Sequence, residues 1–401
     1  MHIEEGLLMH NFTYYVPTEV IFGKGAEMDT VAAIRKHGGK RVVIVYGGGS
    51  VKKNGLLQRV EEYLSSGDIP YITIGGVKPN PHLSLARDGV KAALDFNADF
   101  VLAVGGGSVI DTAKGIAHGA ANPNIDIWEF WLGKKTVDKS LPVGVILTIP
   151  AAGSEMSDSA VLTNEETGEK KGFPSDFNRP RFAIMDPELT FTLPDRQIAC
   201  GIVDIMMHTL DRYFTPQQGN ELTDEFAESL LRTTIKNGQL ALDDKTNYQA
   251  MSELMWCGSV SHNGLTGLGG IKDFGPHKLG HELSGKFDIA HGESLSAIWG
   301  AWANYVYKED PQRFAQYARN VWDISKGDPL ESAEAGILKT VEFFKSLGMP
   351  TCFAEAGIGG QNDAVIDDLA MRCTGGGKYT VAAFKKLSKV DAYNIYSAAN
   401  H

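Results

Sequence analysis

Cysteine is scarce in this chain. There are 4 in 401 residues, at Cys200, Cys257, Cys352 and Cys373, with no CxxC among them. That excludes a cysteine-built zinc cluster. A chain of this length can bury a core that needs no disulfides, so the thiols read as reduced, in a cytoplasmic setting. Positive charge is also short: 38 Lys and Arg stand against 49 Asp and Glu, a net charge of −11. This leaves neither the basic stripe of a nucleic-acid binder nor a polybasic membrane patch. No apolar run approaches the ~20 residues needed to span a bilayer. The opening MHIEEGLLMHN carries acid where a secretory leader needs base. Beyond a five-residue GGGSV written twice there is no repeat and no low-complexity segment.

What is present is a change of pattern along the chain. Between about residues 20 and 190, short β-branched runs at 41–46, 71–74, 100–104, 143–149 and 182–185 alternate with helix-like stretches at 56–65, 83–95 and 110–121. Strand–helix alternation with near-continuous apolar strands predicts a parallel, doubly wound α/β sheet. After DPELTFTLPDRQ the strands stop. Amphipathic stretches at 224–236, 248–262, 293–307 and 311–324 predict a helical second half. The expected division is an α/β domain over 1–192 and an all-helical domain over 193–401.

The two GGGSV turns each close an apolar run, at RVVIVYGGGSV (41–51) and FVLAVGGGSVID (100–111). Glycines there let the backbone take positive φ or approach a ligand closely. Neither fits the GxGxxG dinucleotide fingerprint, because the sixth position is Lys52 in one and Ile110 in the other. The second still lies between a strand and a helix, where backbone N–H groups and the helix dipole favour phosphate. Ser108 can add a hydroxyl, and Asp111 can meet a ribose or serve as a helix-terminal acid. GGVKPNP (75–81) and LTIPAAGSE (147–155) follow two further strands, on the edge of an open α/β sheet where ligands bind.

The helical half holds a different chemistry. In GIVDIMMHTLDRY, Asp204 and His208 are four apart and share a helix face among apolar neighbours, where both are costly unless paired. In PHKLGHELSGKFDIAHGES, His277 and His281 form a second such pair and His291 follows. One carboxylate and three imidazoles suit Fe²⁺, Zn²⁺ or a similar ion. Spacing alone leaves open four ligands, or three and a neighbour, with His281 the least secure member. It also leaves open that Asp204 pairs with Arg212.

Taken in order, FGKG (22–25), YGGGSVKKNG (46–55), KPNP (78–81), GGGSVID, IPAAGSE, DPELTFTLP (186–194), GIVDIMMH (201–208) and HKLGHELSGKFDIAHG (277–292) resemble the iron-containing, group III alcohol dehydrogenases. They most resemble the butanol dehydrogenase and broad-range aldehyde reductase branch. The likeness spans nearly the whole chain. It implies an N-terminal dinucleotide-binding α/β domain, an all-helical C-terminal metal-binding domain and an active site in the cleft between them. It assigns the metal to Asp204, His208, His277 and His291, and puts His281 close to the nicotinamide, not on the metal. It assigns dinucleotide contacts to Gly48, Gly49, Ser50, Asn80, Gly106, Gly107, Ser108, Asp111, Thr148, Lys170 and Leu189. PAAGSE is shorter than the TTxGTGSE of many members, a shortening the butanol-type branch shares.

The function implied is hydride transfer between NADP(H) and short-to-medium-chain aldehydes or alcohols, with Fe²⁺ or Zn²⁺ as Lewis acid and His281 as proton donor, in a homodimer. NADP(H) is expected over NAD(H): the first turn holds neutral Gly48, Gly49 and Ser50 where NAD-specific enzymes commonly place an acid, Lys52 and Lys53 follow, and the branch with this turn favours NADP. Two rivals use similar parts. A metallohydrolase would want a carboxylate base beside the metal, for which Glu282 is the nearby candidate. A lyase like dehydroquinate synthase would want several basic residues near 204–212, which the chain lacks. A non-enzymatic nucleotide-binding module would leave the buried Asp/His pairs unexplained.

Overall fold

In a computed structural model the described residues are 9–401; the segment 1–8, which holds most of the opening read for a leader, lies outside them. The chain forms two compact units. One comprises Tyr15–Leu193 with Lys245–Asn263; the other comprises 9–14, Pro194–Asp244 and Gly264–His401. The division is therefore not the single cut expected at 192/193, because a helix from the second half belongs with the sheet.

The strands are β1 (Glu19–Phe22), β2 (Val42–Gly47), β3 (Tyr71–Val77), β4 (Phe100–Gly105), β5 (Val143–Leu147), β6 (Ser159–Asn164), β7 (Glu169–Pro174) and β8 (Phe182–Met185). Six of them form one parallel sheet in the order β1-β8-β5-β4-β2-β3. The helices are α1 (Thr30–Lys36), α2 (Ser50–Lys53), α3 (Leu56–Ser66), α4 (Leu83–Asp95), α5 (Gly107–Ala121), α6 (Trp128–Trp131), α7 (Asp195–Tyr213), α8 (Glu221–Asp243), α9 (Tyr248–His262), α10 (Gly275–Phe287), α11 (His291–Val306), α12 (Pro311–Trp322), α13 (Pro329–Ser346), α14 (Asp363–Cys373) and α15 (Lys389–Ala399).

The doubly wound reading holds because the strands are apolar on both faces. Val42, Ile44, Tyr46, Leu102 and Val104 pack with Leu56, Val60 and Leu64 of α3. Val43, Val45, Val101, Ala103 and Val145 pack on the other face with Ile110, Ala113, Ile116 and Ala117 of α5. Two features escaped the sequence. β1 is a four-residue edge strand, and β6–β7 is an antiparallel hairpin whose first strand alternates half-buried and buried residues.

In the helical unit α7 is fixed by a buried polar bracket. The Arg313 guanidinium, 1 % exposed, donates to the Tyr213 carbonyl at 2.7 and 3.0 Å, forms a forked pair with Asp224, and lies 3.7 Å over the Tyr213 ring. Tyr213 in turn donates its hydroxyl to Glu228, which also accepts from Gln316 and Asn320. Removing the guanidinium leaves the half-buried Asp224 carboxylate and the buried Tyr213 carbonyl unanswered. Arg313→Met is therefore expected to cost about 3–5 kcal/mol of stability, read as the urea midpoint shift. A loss below about 1 kcal/mol, the value of a surface pair, would contradict this account.

Candidate active site

The acid and imidazoles picked out by spacing meet in the helical unit. α7 is buried from Gly201 to Tyr213 and presents Asp204 and His208; α10 presents His277 and His281; His291 opens α11. From Asp204 Oδ1 the distances are 3.4 Å to His208 Nε2, 3.8 Å to His277 Nε2 and 3.8 Å to His291 Nε2. Asp204, His277 and His291 can each offer one atom to a group lying within 4.8 Å of one another. The His208 ring lies 4.4 Å from that of His277, tilted by 35°. Donors ~2.1 Å from a common tetrahedral centre stand ~3.4 Å apart, so Asp204, His277 and His291 have the dimensions of a metal site, with His208 Nε2 beside them at 3.4 Å from Asp204.

His277 carries the chemical argument. Its Nδ1 makes a close hydrogen bond with Asp211 Oδ2, which fixes the ring and tautomer. Its Nε2 is buried, has no hydrogen-bond partner and points at the cluster. An unanswered imidazole nitrogen costs free energy in a protein interior, and a divalent ion removes that cost. Asp211 escaped the sequence reading. Its signal was available, since it lies seven residues beyond Asp204 and three beyond His208, within the same buried run of α7. Asp211 is held in turn: its carbonyl accepts the Asp273 N–H, while the Asp273 carboxylate accepts from Gly275, Ala383 and Phe384. Burial, with Asp211 adding to it, pushes the Asp273 pKa up to about 7.

His281 is half-buried one helical turn after His277, its ring 5.3 Å from His291 and 6.1 Å from His277. Glu282 pairs with Arg372 at 2.8 Å, which engages the carboxylate a metallohydrolase would need as base. Arg212 donates to the His208 carbonyl through Nη1, so it braces α7 at the cage. Burial pushes the Cys200 thiol up to about 12, a pKa unsuited to a nucleophile or thiolate ligand.

The sheet unit gathers the other set. Gly48, Gly49 and Ser50 follow β2, Asn80 follows β3, Gly106, Gly107 and Ser108 follow β4, Thr148 follows β5 and Leu189 follows β8. All lie at the C-terminal edge of one parallel sheet. Lys170, on β7, reaches the same edge by donating to Asn80 Oδ1 at 2.9 Å. The second turn opens the 15-residue α5, the geometry of a phosphate site. Gly106 is demanded by packing: a Cβ there would lie 2.3 Å from Ile149 Cγ2. The first turn is different. Nothing lies within 4 Å of a Cβ at Gly48 or Gly49, and Gly49 has φ +129°. Leu189 is 8 % exposed and packs in the core beneath the edge. The Asp111 oxygens accept from Ser154 Oγ and the Val161 N–H, and burial pushes its pKa up.

A dinucleotide-type sheet edge and a carboxylate–imidazole metal cage define a metal- and dinucleotide-dependent dehydrogenase. The chain belongs to the iron-containing alcohol dehydrogenase family: the family's N-terminal model matches residues 17–187 and its C-terminal model residues 198–400. It is an NAD(P)-dependent alcohol dehydrogenase, an oxidoreductase. It is similar to NADH-dependent butanol dehydrogenase A of Clostridium acetobutylicum, 40 % identical over 97 % of this chain and 99 % of that one. It is 39 % identical to the NADPH-dependent aldehyde reductase YqhD of Escherichia coli over 88 % of this chain and 91 % of that one. The crystal structure of NADH-dependent butanol dehydrogenase A from Thermotoga maritima superposes with a TM-score of 0.94 at 34 % identity, covering 98 % of this chain and all of that one. No helix among the described residues is long and apolar enough to cross a membrane.

Proposed function

We propose that this enzyme reduces short-to-medium-chain aldehydes to primary alcohols, and reverses that reaction, with NADP(H) preferred over NAD(H) and with Fe²⁺ or Zn²⁺ as its ion. The observation that carries the reading is the cluster of buried Asp204, His208 and His277 with half-buried His291, and the unanswered Nε2 of His277. When bound, the ion polarises a carbonyl oxygen as a Lewis acid and the dinucleotide supplies the hydride. The chain's own residues do the rest. Asp204, His208, His277 and His291 would hold the ion, and Asp211 keeps His277 turned toward it. The turns at 48–50 and 106–108 would hold phosphates, with Asn80 and Lys170 beside them. His281 would give the proton that turns alkoxide into alcohol. Chain-length limits on the aldehyde, a homodimeric assembly and a cytoplasmic setting complete the proposal; all four cysteines are free thiols, which fits the last. The test is oxidation of NADPH and NADH against a panel of C2–C8 aldehydes with protein loaded with Fe²⁺ or Zn²⁺. No turnover with any aldehyde would overturn it.

The dinucleotide preference rests on the first turn, since one relative named above is NADH-dependent and another NADPH-dependent. Lys52 lies 4.9 Å over the Tyr46 ring and lines a cleft of 270 Å³ with Leu57, Gln58, Glu61 and Thr73. Ser50 and Lys52 offer a 2′-phosphate charge-assisted hydrogen bonds of ~1.5–3 kcal/mol each, about tens-fold in preference; Glu61 opposes them. The diagnostic variant is Gly48→Asp. At Gly49 an Asp would carry backbone strain at φ +129° as well as charge, whereas Gly48 has open space and no positive φ. Gly48→Asp is expected to raise the KM for NADPH at least tenfold and leave that for NADH within threefold. A preference for NADH in the unaltered enzyme would refute the assignment.

A further inference from the structure

Lys114 of α5 is completely buried, yet its ammonium is surrounded by oxygens. It donates to the Ser154 carbonyl and Oγ, both at 2.8 Å, to the Ser159 carbonyl at 2.7 Å and to Ser157 Oγ at 3.3 Å, and lies 3.7 Å from Asp111 Oδ1. Nothing in the hydride chemistry uses this amine. Three of its oxygens belong to the loop after β5, and that loop lies on the second glycine turn: Ile149 Cγ2 fills the space a Cβ on Gly106 would take, and Ala152 Cβ stands 3.8 Å from the place of one on Gly107. The loop is also gripped from its far side by α9. Ser259 Oγ donates to Glu155, the His262 ring hydrogen-bonds the Ala152 carbonyl, and Gly153 (φ +68°) runs so close to α9 that a Cβ there would lie 2.3 Å from the Gly258 carbonyl oxygen.

We infer that Lys114 is a positioning residue for dinucleotide binding, the inner clamp that sets the 149–157 loop at a fixed height over the phosphate-binding turn at 106–108. This rests on the dinucleotide reading of that turn. Loop and turn both hang from one polar knot, because Asp111, four residues into α5, holds the same Ser154 hydroxyl at 2.5 Å. α9 supplies the outer clamp, which explains why a helix from the second half of the chain packs with the sheet. Burial pushes the Lys114 pKa down to about 8, while Asp111, Glu155 and Asp158 around it act the other way. The buried ammonium ties oxygens of Ser154, Ser157 and Ser159 to one point on α5, which is a geometric duty.

The test uses Lys114→Met and Ser154→Ala in the metal-loaded enzyme. The readouts are NADPH dissociation from nicotinamide fluorescence, steady-state kinetics, metal content and thermal unfolding. Lys114→Met is expected to weaken NADPH binding on the order of 10–100-fold, with KM for the aldehyde and metal content within twofold, because a misplaced loop penalises the phosphate grip alone. Ser154→Ala should weaken it less, and the double variant should do no worse than Lys114→Met, since one knot is being cut twice. NADPH affinity within twofold of the unaltered enzyme in either folded variant, or equal rises in both KM values, overturns the proposal. If Lys114→Met does not fold, Ser154→Ala decides by the same criterion. An unaltered enzyme that binds neither NADPH nor NADH overturns the dinucleotide reading itself, and the clamp with it.

Discussion

His277→Ala is expected to leave the enzyme with less than about a tenth of its metal and with aldehyde reduction at least about 10³-fold slower. The expectation follows from the geometry around that ring. Asp211 binds Nδ1, so the imidazole has one nitrogen to give, and that nitrogen is buried against Asp204 with nothing else to bind. Truncation removes one corner of the cage and opens it to water. The Lewis-acid contribution is worth several kcal/mol, and ~4 kcal/mol is about three powers of ten in rate. Asp211→Asn separates ligand from support. It keeps the shape but loses the negative partner of the ring, and the metal affinity is expected to fall about 10–100-fold without disappearing. Metal analysis after extensive chelation and reloading with Fe²⁺ or Zn²⁺ checks both. Full turnover in thoroughly metal-free protein, or undiminished metal in His277→Ala, would sink the idea.

The clustering of these side chains was legible in the sequence because α-helical geometry converts spacing into proximity. Asp204/His208 and His277/His281 are i, i+4 pairs, and the structure indeed puts each pair on one helix face. Which of the histidines point at Asp204 was not legible from spacing, since that depends on how α7, α10 and the start of α11 are rotated against each other. That rotation is set by packing and by contacts such as the Asp211–Asp273 link, which join residues 62 positions apart. The sheet was readable for a similar reason. Strands buried on both faces are apolar at every position, so β2, β4, β5 and β8 stand out. β1 did not, because a four-residue edge strand carries little signal, and β6–β7 did not, because half of each strand faces water. The placement of α9 with the sheet was invisible. An amphipathic helix states that it needs an apolar partner, not which one, and Met255 finds that partner in the β4–β5 core. Lys114 was hidden more thoroughly. A lysine inside a helix reads as a solvated charge, and only the folded loop brings four oxygens to it.

His281→Ala is expected to keep the metal and the dinucleotide while losing roughly 10²–10⁴-fold in kcat, the range for a general acid–base group. The residue follows His277 by one turn of α10, so both rings lie on one helix face. It is displaced along the helix from the Asp204–His277–His291 cluster, with ring centres 5.3 Å from His291 and 6.1 Å from His277. That offset suits a group that meets the substrate oxygen from the side, and imidazole is a side chain that can both give and take a proton. A partner of Asp204 in the cage would behave differently, because its loss would carry the metal with it. Three measurements on His281→Ala therefore decide the role: metal per chain, NADPH affinity, and kcat with and without added imidazole. Metal near one per chain, unaltered affinity and a kcat partly restored by imidazole would place a proton at His281. Arrival of the variant without metal would make His281 a ligand, and a kcat within threefold of the unaltered enzyme would remove it from the chemistry altogether.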